Sequence, residues 1–219
     1  MYDAIIVAGG ASLRFNGETN KVFAKIRNKE VITYSVDFFL NDEKCDKIII
    51  VSRRNEITKM KQLFDNPKII IKSGGKTRMQ SVEVGLLSSN NKYVLIHDAA
   101  RPLLYKDDVE ALLTSVVKYN AATLALRTDN TVAVSKDESF ITDYIDRNLL
   151  ASIVTPQAFL LSKIVYAHEK GEEEGLEFTD DSSIYNKYIG KVKLLYTNNP
   201  NIKITREKDL KIVEALLWE

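Results

Sequence analysis

Three turns in this chain set small residues beside cations. In AIIVAGGASLRFNGETNK (residues 4–21) an apolar run ends in Gly9-Gly10, and Arg14 and Lys21 follow within a dozen positions. In GGKTRMQS (74–81) a second glycine pair precedes Arg78 and Ser81, and in VLIHDAARPLL (94–104) an apolar run ends in His97-Asp98, then Ala99, Ala100 and Arg101. Small residues let a backbone approach a ligand closely. N–H groups at a turn that opens a helix form a cradle for anions. Ala8, Gly9, Gly10, Ala11 and Ser12, with Arg14 and Lys21 beyond, therefore suit a phosphate. The spacing is neither a Walker A loop nor G-x-G-x-x-G. Arg78 and Ser81, three residues apart, share a helix face and can grip a base or a phosphate; a helix entry with a solvated arginine is the other reading. Asp98, at the carboxyl end of a strand, can hold Mg²⁺ or a sugar hydroxyl beside a polyphosphate, or it can be a loop or cap residue. His97 lies inside the strand and reads as a packed imidazole.

Further segments read less directly. In DYIDRNLLASIVTPQAF (143–159), Arg147 follows a hairpin-like stretch and can meet a second phosphate, in cis or across a dimer contact. Thr155-Pro156-Gln157 reads as the opening of a turn. In FTDDSSIY (178–185), Thr179 and Asp180 have the pattern of a helix N-cap with an acidic first turn. In NIKIT (201–205), Lys203 alternates with Ile202 and Ile204 in a strand-like stretch and so points away from them. Two histidines and one cysteine cannot supply a four-ligand zinc site. No nucleophile elbow supports a Ser-His-Asp triad.

The elements that must hold these groups alternate. Short β-branched runs at 4–8, 47–52, 68–71, 93–97, 121–126 and 191–196 predict strands. Amphipathic stretches at 31–40, 54–64, 79–87 and 107–119 predict helices, and 207–217 a last helix with Thr205 as its N-cap. This is the pattern of an α/β fold: a mainly parallel sheet with helices on both faces. Residues 127–151 differ. TVAV and FITDYI flank a polar KDES turn and read as a hairpin-like insertion in one continuous domain. The run EKGEEEG (169–175) reads as a solvated helix end and loop.

Composition bounds the rest. The 219 residues are 45% hydrophobic and 28% charged, an ordinary globular balance. A net charge of +1 gives no bulk attraction for nucleic acid or an anionic membrane. No stretch approaches the ~20 apolar residues of a membrane span. Cys45, the single cysteine, forms no intrachain disulfide and reads as a small half-buried residue; with no signal peptide at the N-terminus, cytoplasmic residence is expected.

Taken in order, AGGASLRF with Lys21, GGKTRMQS, HDAARP, DRN, TPQAF, TDD and NIKIT resemble the 2-C-methyl-D-erythritol 4-phosphate cytidylyltransferases of non-mevalonate isoprenoid synthesis. The resemblance runs from residue 4 to about 217. It implies a Rossmann-like nucleotidyltransferase fold, a β-arm pairing two subunits, and Mg²⁺-dependent transfer of CMP from CTP to a sugar-alcohol phosphate. It further implies that Arg14, Lys21 and Lys203 are catalytic. Ala8, Gly9, Gly10, Ala11, Ser12, Gly74, Arg78, Ser81, Asp98, Ala99 and Ala100 would bind the nucleotide, with Asp98 beside the metal. Arg101, Thr131, Arg147, Thr155, Thr179 and Asp180 would serve the acceptor, Thr131 and Arg147 from the partner's arm. Asn20 and Val22 stand where the family usually has Pro and Gln, Ser12 where it usually has Gly, and Ala133 falls where the arm usually carries a cation. Two alternatives stay open: a sister enzyme acting on another polyol phosphate such as ribitol 5-phosphate, and a non-catalytic nucleotide-binding module. An acceptor screen separates them.

Overall fold

The computed structural model describes residues 1–10, 15 and 20–217. In chain order it holds strand β1 (Tyr2–Val7), the small strands β2 (Lys25–Ile26) and β3 (Lys29–Glu30), helix α1 (Val31–Leu40), β4 (Cys45–Ser52), α2 (Ile57–Leu63), β5 (Ile69–Ser73), α3 (Arg78–Leu87), β6 (Tyr93–Asp98) and α4 (Lys106–Tyr119). Then come β7 (Ala121–Leu126), β8 (Val132–Val134), β9 (Asp143–Ile145), β10 (Ser152–Leu160), α5 (Leu161–Glu173), α6 (Asp181–Tyr188), β11 (Lys193–Tyr196) and α7 (Glu207–Leu216).

Seven strands form one sheet in the order β11-β7-β10-β6-β1-β4-β5. It is mainly parallel, as predicted, and β10 alone runs antiparallel to its neighbours β6 and β7. The strands are apolar on both sides, and their alternation feeds two cores. Ala4 and Ile6 of β1, with Ile48 and Ile50 of β4, pack with Ile32, Val36 and Phe39 of α1 and Leu112 of α4. Ile5, Ile49 and Val51 face the other way, onto Val82 and Leu86 of α3, Ile164 of α5 and Ile184 of α6. A third cluster seats α7 on Ile26, Leu103 and Ile204 through Val213.

From β1 the chain moves outward to β4 and β5, then returns to place β6 on the other side of β1. The strand order therefore reverses between β1 and β6. In open α/β sheets, ligands bind beyond the carboxyl ends of strands at such a switch point.

Several expectations are corrected. Thr155-Pro156-Gln157 lies inside β10 rather than in a turn. Pro156 offers no N–H to a ladder, and the β7–β10 register slips between Val154 and Gln157, where that break is absorbed. Helix α5 (Leu161–Glu173) begins well before the charged run at 169–175, which predicts only a helix end. The stretch at 54–64 divides into a 3₁₀ turn, Arg54–Glu56, and the shorter α2. Residues 201–205 form a loop, not a strand, held by Ile204 N–H donating to the Ala100 carbonyl at 2.8 Å. The N-cap of α7 is Arg206 rather than Thr205, because the Asp209 carboxylate accepts from both backbone N–H groups at 2.8 Å. Cys45 is fully buried, not half-buried, and burial pushes its thiol up to about 12.

The insertion at 127–151 contains the predicted hairpin, β8 paired antiparallel with β9. It carries Phe140 and Leu149 at 74% and 81% exposure.

Candidate active site

A cleft of about 440 Å³ opens beyond β1 and β6, at the switch point. Three neighbouring chain segments make its walls. Ala8, Gly9 and Gly10 follow β1; Gly75, Lys76, Thr77, Arg78 and Ser81 follow β5; Asp98 and Ala100 close β6. Lys21 and Lys203 enter from two further loops.

Each segment is fixed by its own bonds. Ala8 N–H donates to the Val51 carbonyl at 2.8 Å, Gly74 N–H to Ser52 at 2.8 Å and Ala99 N–H to Val7 at 3.0 Å. These three bonds tie the ends of adjacent strands together. Thr77 caps α3: its hydroxyl accepts from Gln80 N–H, while the Gln80 carboxamide oxygen accepts from Thr77 N–H, a capping box. That box starts α3 at Arg78. Glycine suits position 74, since a Cβ there would crowd Ser81, 2.6 Å from its Oγ and 3.2 Å from its Cβ, and Val51 Cγ1 at 3.2 Å. Asn20 fixes the entry to Lys21. Its amide donates to the Ala8 carbonyl at 2.8 Å and to Glu56 Oε2 at 3.0 Å, and its side-chain oxygen caps the 3₁₀ turn that Lys21 begins. Arg53 donates to the carbonyls of Gly9, at 3.3 Å, and Gly10.

Asp98 is the hub of the site. One oxygen accepts from Arg78 Nε at 3.1 Å, the other from Lys203 Nζ at 2.7 Å, and Arg101 Nε lies 4.0 Å away. Burial pushes the Asp98 carboxyl up, but these three cations outweigh it and hold it well below the usual carboxylate range. Thr155 Oγ1 accepts from Asp98 N–H at 3.0 Å and sits 3.2 Å from His97 Nδ1. The other ring nitrogen of His97 lies 2.9 Å from the Arg101 carbonyl and 3.2 Å from Ser35 Oγ. Burial lowers the His97 pKa to about 4, so the imidazole is neutral and braces the floor of the site.

The sequence-derived candidates distribute as follows. Ala8, Gly9, Gly10, Lys21, Arg78, Ser81, Asp98, Ala100 and Lys203 all line the cleft. Ala11, Ser12 and Arg14 lie outside the described residues. Gly74 and Ala99 stand just behind the wall. Arg101 is turned to Asn201, donating to its backbone and side-chain oxygens at 2.8 and 3.1 Å. Thr155 is buried beneath Asp98. Asp180 is the N-cap of α6, accepting from Ser182 and Ser183 N–H groups, and it also accepts from Gln157 at 2.8 Å. Thr179 is exposed beside it, and Thr131 and Arg147 are exposed on the insertion, where Arg147 donates to the Asp129 carbonyl.

Residues that the sequence reading passed over complete the site. Asp181, directly after the cap, is buried and pairs with Arg78 Nη2 at 2.8 Å. The doubled aspartate in TDD signals a cap, but only packing decides which of the two turns inward. Asn201 also donates to the Thr155 carbonyl at 2.8 Å, linking the Lys203 loop to β10. Among the described residues no group of three or more His, Cys, Asp or Glu side chains could by itself hold a metal. A single ionised carboxylate at a cleft suits a magnesium ion that arrives with phosphates rather than one caged by protein.

The fold and cleft define an α/β nucleotidyltransferase. The family model for 2-C-methyl-D-erythritol 4-phosphate cytidylyltransferase (IspD) matches residues 2–219. A relative of that name from Geobacillus thermodenitrificans is 36% identical over 221 residues, covering 99% of this chain and 96% of its own length. One from Caldanaerobacter subterraneus is also 36% identical, with 98% and 97% covered. The solved 4-diphosphocytidyl-2C-methyl-D-erythritol synthase of Anaerococcus prevotii superposes with a TM-score of 0.85 at 27% identity, covering all of this chain and 96% of that one. This chain belongs to the 2-C-methyl-D-erythritol 4-phosphate cytidylyltransferase family. It is a cytidylyltransferase, as its motifs implied.

Proposed function

We propose that this enzyme transfers CMP from CTP to 2-C-methyl-D-erythritol 4-phosphate, giving 4-diphosphocytidyl-2-C-methyl-D-erythritol and pyrophosphate in isoprenoid precursor synthesis. One observation carries the site-level reading. Arg78 and Lys203 pair with Asp98 in one cleft that Lys21 also lines, at the switch point of a chain that belongs to this family over nearly its whole length.

The chemistry needs little beyond that set. The acceptor's phosphate oxygen is already a nucleophile, so no strong base is required. It attacks the α-phosphorus of CTP, and the bond to the β-phosphate oxygen breaks to release pyrophosphate. The enzyme must align two polyanions and offset their repulsion, which fixed cations do without reorganising. In our reading, the Ala8–Gly9–Gly10 turn borders the triphosphate, continuing through Ala11, Ser12 and Arg14. Among the described residues a Cβ at Gly10 would meet nothing within 4 Å, so open space borders the turn there. Lys21 and Lys203 take the α-phosphate, and Arg78 and Ser81 take the nucleoside end. Asp98 is the carboxylate that would hold Mg²⁺ together with the nucleotide's phosphates. When bound, that ion neutralises phosphate charge and orients the leaving group. Lys203 pairs with Asp98 at 2.7 Å, and that ion pair would open to give Lys203 to the nucleotide's phosphate and Asp98 to the ion.

The insertion at 127–151 is read as a dimerisation arm on one nucleotidyltransferase domain. A lone two-stranded hairpin is marginal in water, and Phe140, Ile141, Tyr144 and Leu149 stand exposed on it. A second copy would cover them and bring Thr131 and Arg147 to the acceptor's phosphate.

The test is pyrophosphate release with CTP and Mg²⁺ and each of two acceptors. Turnover with 2-C-methyl-D-erythritol 4-phosphate is expected. Turnover confined to ribitol 5-phosphate would replace this reading, and CTP binding without turnover would point to a non-catalytic module.

A further inference from the structure

Behind the cleft lies a second layer of charge that reaches its wall through Arg78. Asp181, the first residue of α6, and His168, on α5, are each 2% exposed in their side chains. They sit among Ile164, Ala167, Ile184 and Tyr185. His168 Nε2 lies 3.3 Å from Asp181 Oδ1, and Asp181 Oδ2 lies 2.8 Å from Arg78 Nη2. Arg78 Nε in turn meets Asp98 Oδ1 at 3.1 Å. A continuous line of contacts thus runs from α5, through α6 and α3, to the hub carboxylate.

The arrangement at Arg78 is unusual for a guanidinium beside a buried carboxylate. Such a pair prefers to close as a two-pronged fork on one partner. Here the fork is split between two carboxylates, Asp98 and Asp181. The split has two consequences. Asp98 keeps its second oxygen for Lys203, at 2.7 Å. Arg78 keeps Nη1 without a protein partner among the described residues, on a side chain that lines the cleft.

The packing delivers this arrangement by design of the helix face. Gly171 lies three residues after His168, on the same side of α5. A Cβ there would stand 2.7 Å from Ile184 Cδ1 and 2.8 Å from Met79 Cε. Glycine therefore lets α5 come close enough to α6 and α3 to set His168 against Asp181. Burying a carboxylate is costly unless it is paired, and Arg78 and His168 together supply the pairing.

We propose that Asp181, backed by His168, is a positioning residue for the nucleotide site: it anchors one prong of Arg78 so that this guanidinium cannot close on Asp98, and it keeps both groups open to the ligand. The proposal rests on the reading of the cleft as a CTP site. Asp181 acts through Arg78 and does not itself touch the nucleotide.

The experiment is calorimetric titration of the intact enzyme with CTP and Mg²⁺, without acceptor, alongside thermal melting. Asp181→Asn keeps the shape and removes the charge. It is expected to weaken CTP binding about 10-fold or more, the size of a lost charged hydrogen bond. His168→Gln is expected to weaken it about 3-fold, as for residues coupled by contact. In an Arg78→Ala background Asp181→Asn should cause no further loss, since its effect passes through Arg78. CTP affinity equal to wild type in a folded Asp181→Asn enzyme would overturn the proposal. So would additive losses with Arg78→Ala. If Asp181→Asn fails to fold, His168→Gln decides by the same reading, and failure of both to fold would assign the pair to stability alone. Absence of CTP binding by the wild-type enzyme would instead overturn the reading of the cleft.

Discussion

The cleft and the arm are built on opposite plans. In the cleft, charged groups are buried and joined by contacts between distant positions: Lys203 meets Asp98 across 105 residues, and Arg101 meets Asn201 across 100. In the arm, bonds are local and exposed. Asp137 accepts from the N–H groups of Ser139 and Phe140, and Thr142 N–H donates to the Val134 carbonyl. The cleft owes its geometry to contacts across the whole fold. Among the described residues the arm has no core beneath it, and its large apolar side chains Phe140, Ile141, Tyr144 and Leu149 stand exposed. In our reading, the nucleotide end of the reaction belongs to the protomer and the acceptor end to the assembly.

Three substitutions or conditions probe that division, from the largest effect to the smallest. Lys21→Ala removes a fixed cation from the cleft and is expected to lower kcat by at least ~10²-fold, as when one transition-state donor is deleted. Near-normal turnover in steady-state kinetics would remove Lys21 from the reaction. Arg147→Ala removes a cation from the arm and should raise KM for the acceptor about 10-fold, the value of one charge-assisted contact, leaving KM for CTP unchanged. An effect confined to CTP would break the division between cleft and arm.

The smallest effect is on stability and belongs to the cleft floor. In the unfolded chain His97 takes up a proton below about pH 6.5, whereas in the fold it does so only near about 4. Its folded pKa is lowered, so stability is full above the unfolded pKa and falls as pH drops toward the folded one. Urea unfolding should show a loss of about 1 kcal/mol between pH 6.5 and 5.5 from this group, absent in His97→Gln. Equal slopes in the two proteins would remove His97 as the cause.

Much of this was legible in the sequence because it is local. The strands β1, β4 and β6 announce themselves as β-branched runs, and Val31–Leu40 as a periodic helix. The AGG, GGK and HDAARP turns sit where strands end, so their residues converge once the sheet forms. What stayed hidden depends on tertiary packing. Strand β10 contains Pro156, which reads as a turn until the register slip beside it is seen. Asp180 and Asp181 are adjacent and chemically alike, yet one caps a helix and the other enters the core. His168 lies on a helix whose charged end dominates its pattern, and its partner is thirteen positions further along. Asn20, an irregular residue beside the family pattern, proves to be the tie between the glycine turn and Lys21.

The central claim is that the cleft directs attack at the α-phosphorus of CTP. The most direct measurement follows CTP labelled at that phosphorus, incubated with the enzyme, Mg²⁺ and 2-C-methyl-D-erythritol 4-phosphate. The account predicts that the label appears in 4-diphosphocytidyl-2-C-methyl-D-erythritol while the released pyrophosphate carries none. Label that stays in CTP, or that leaves in a hydrolysed nucleotide without joining the acceptor, would contradict it.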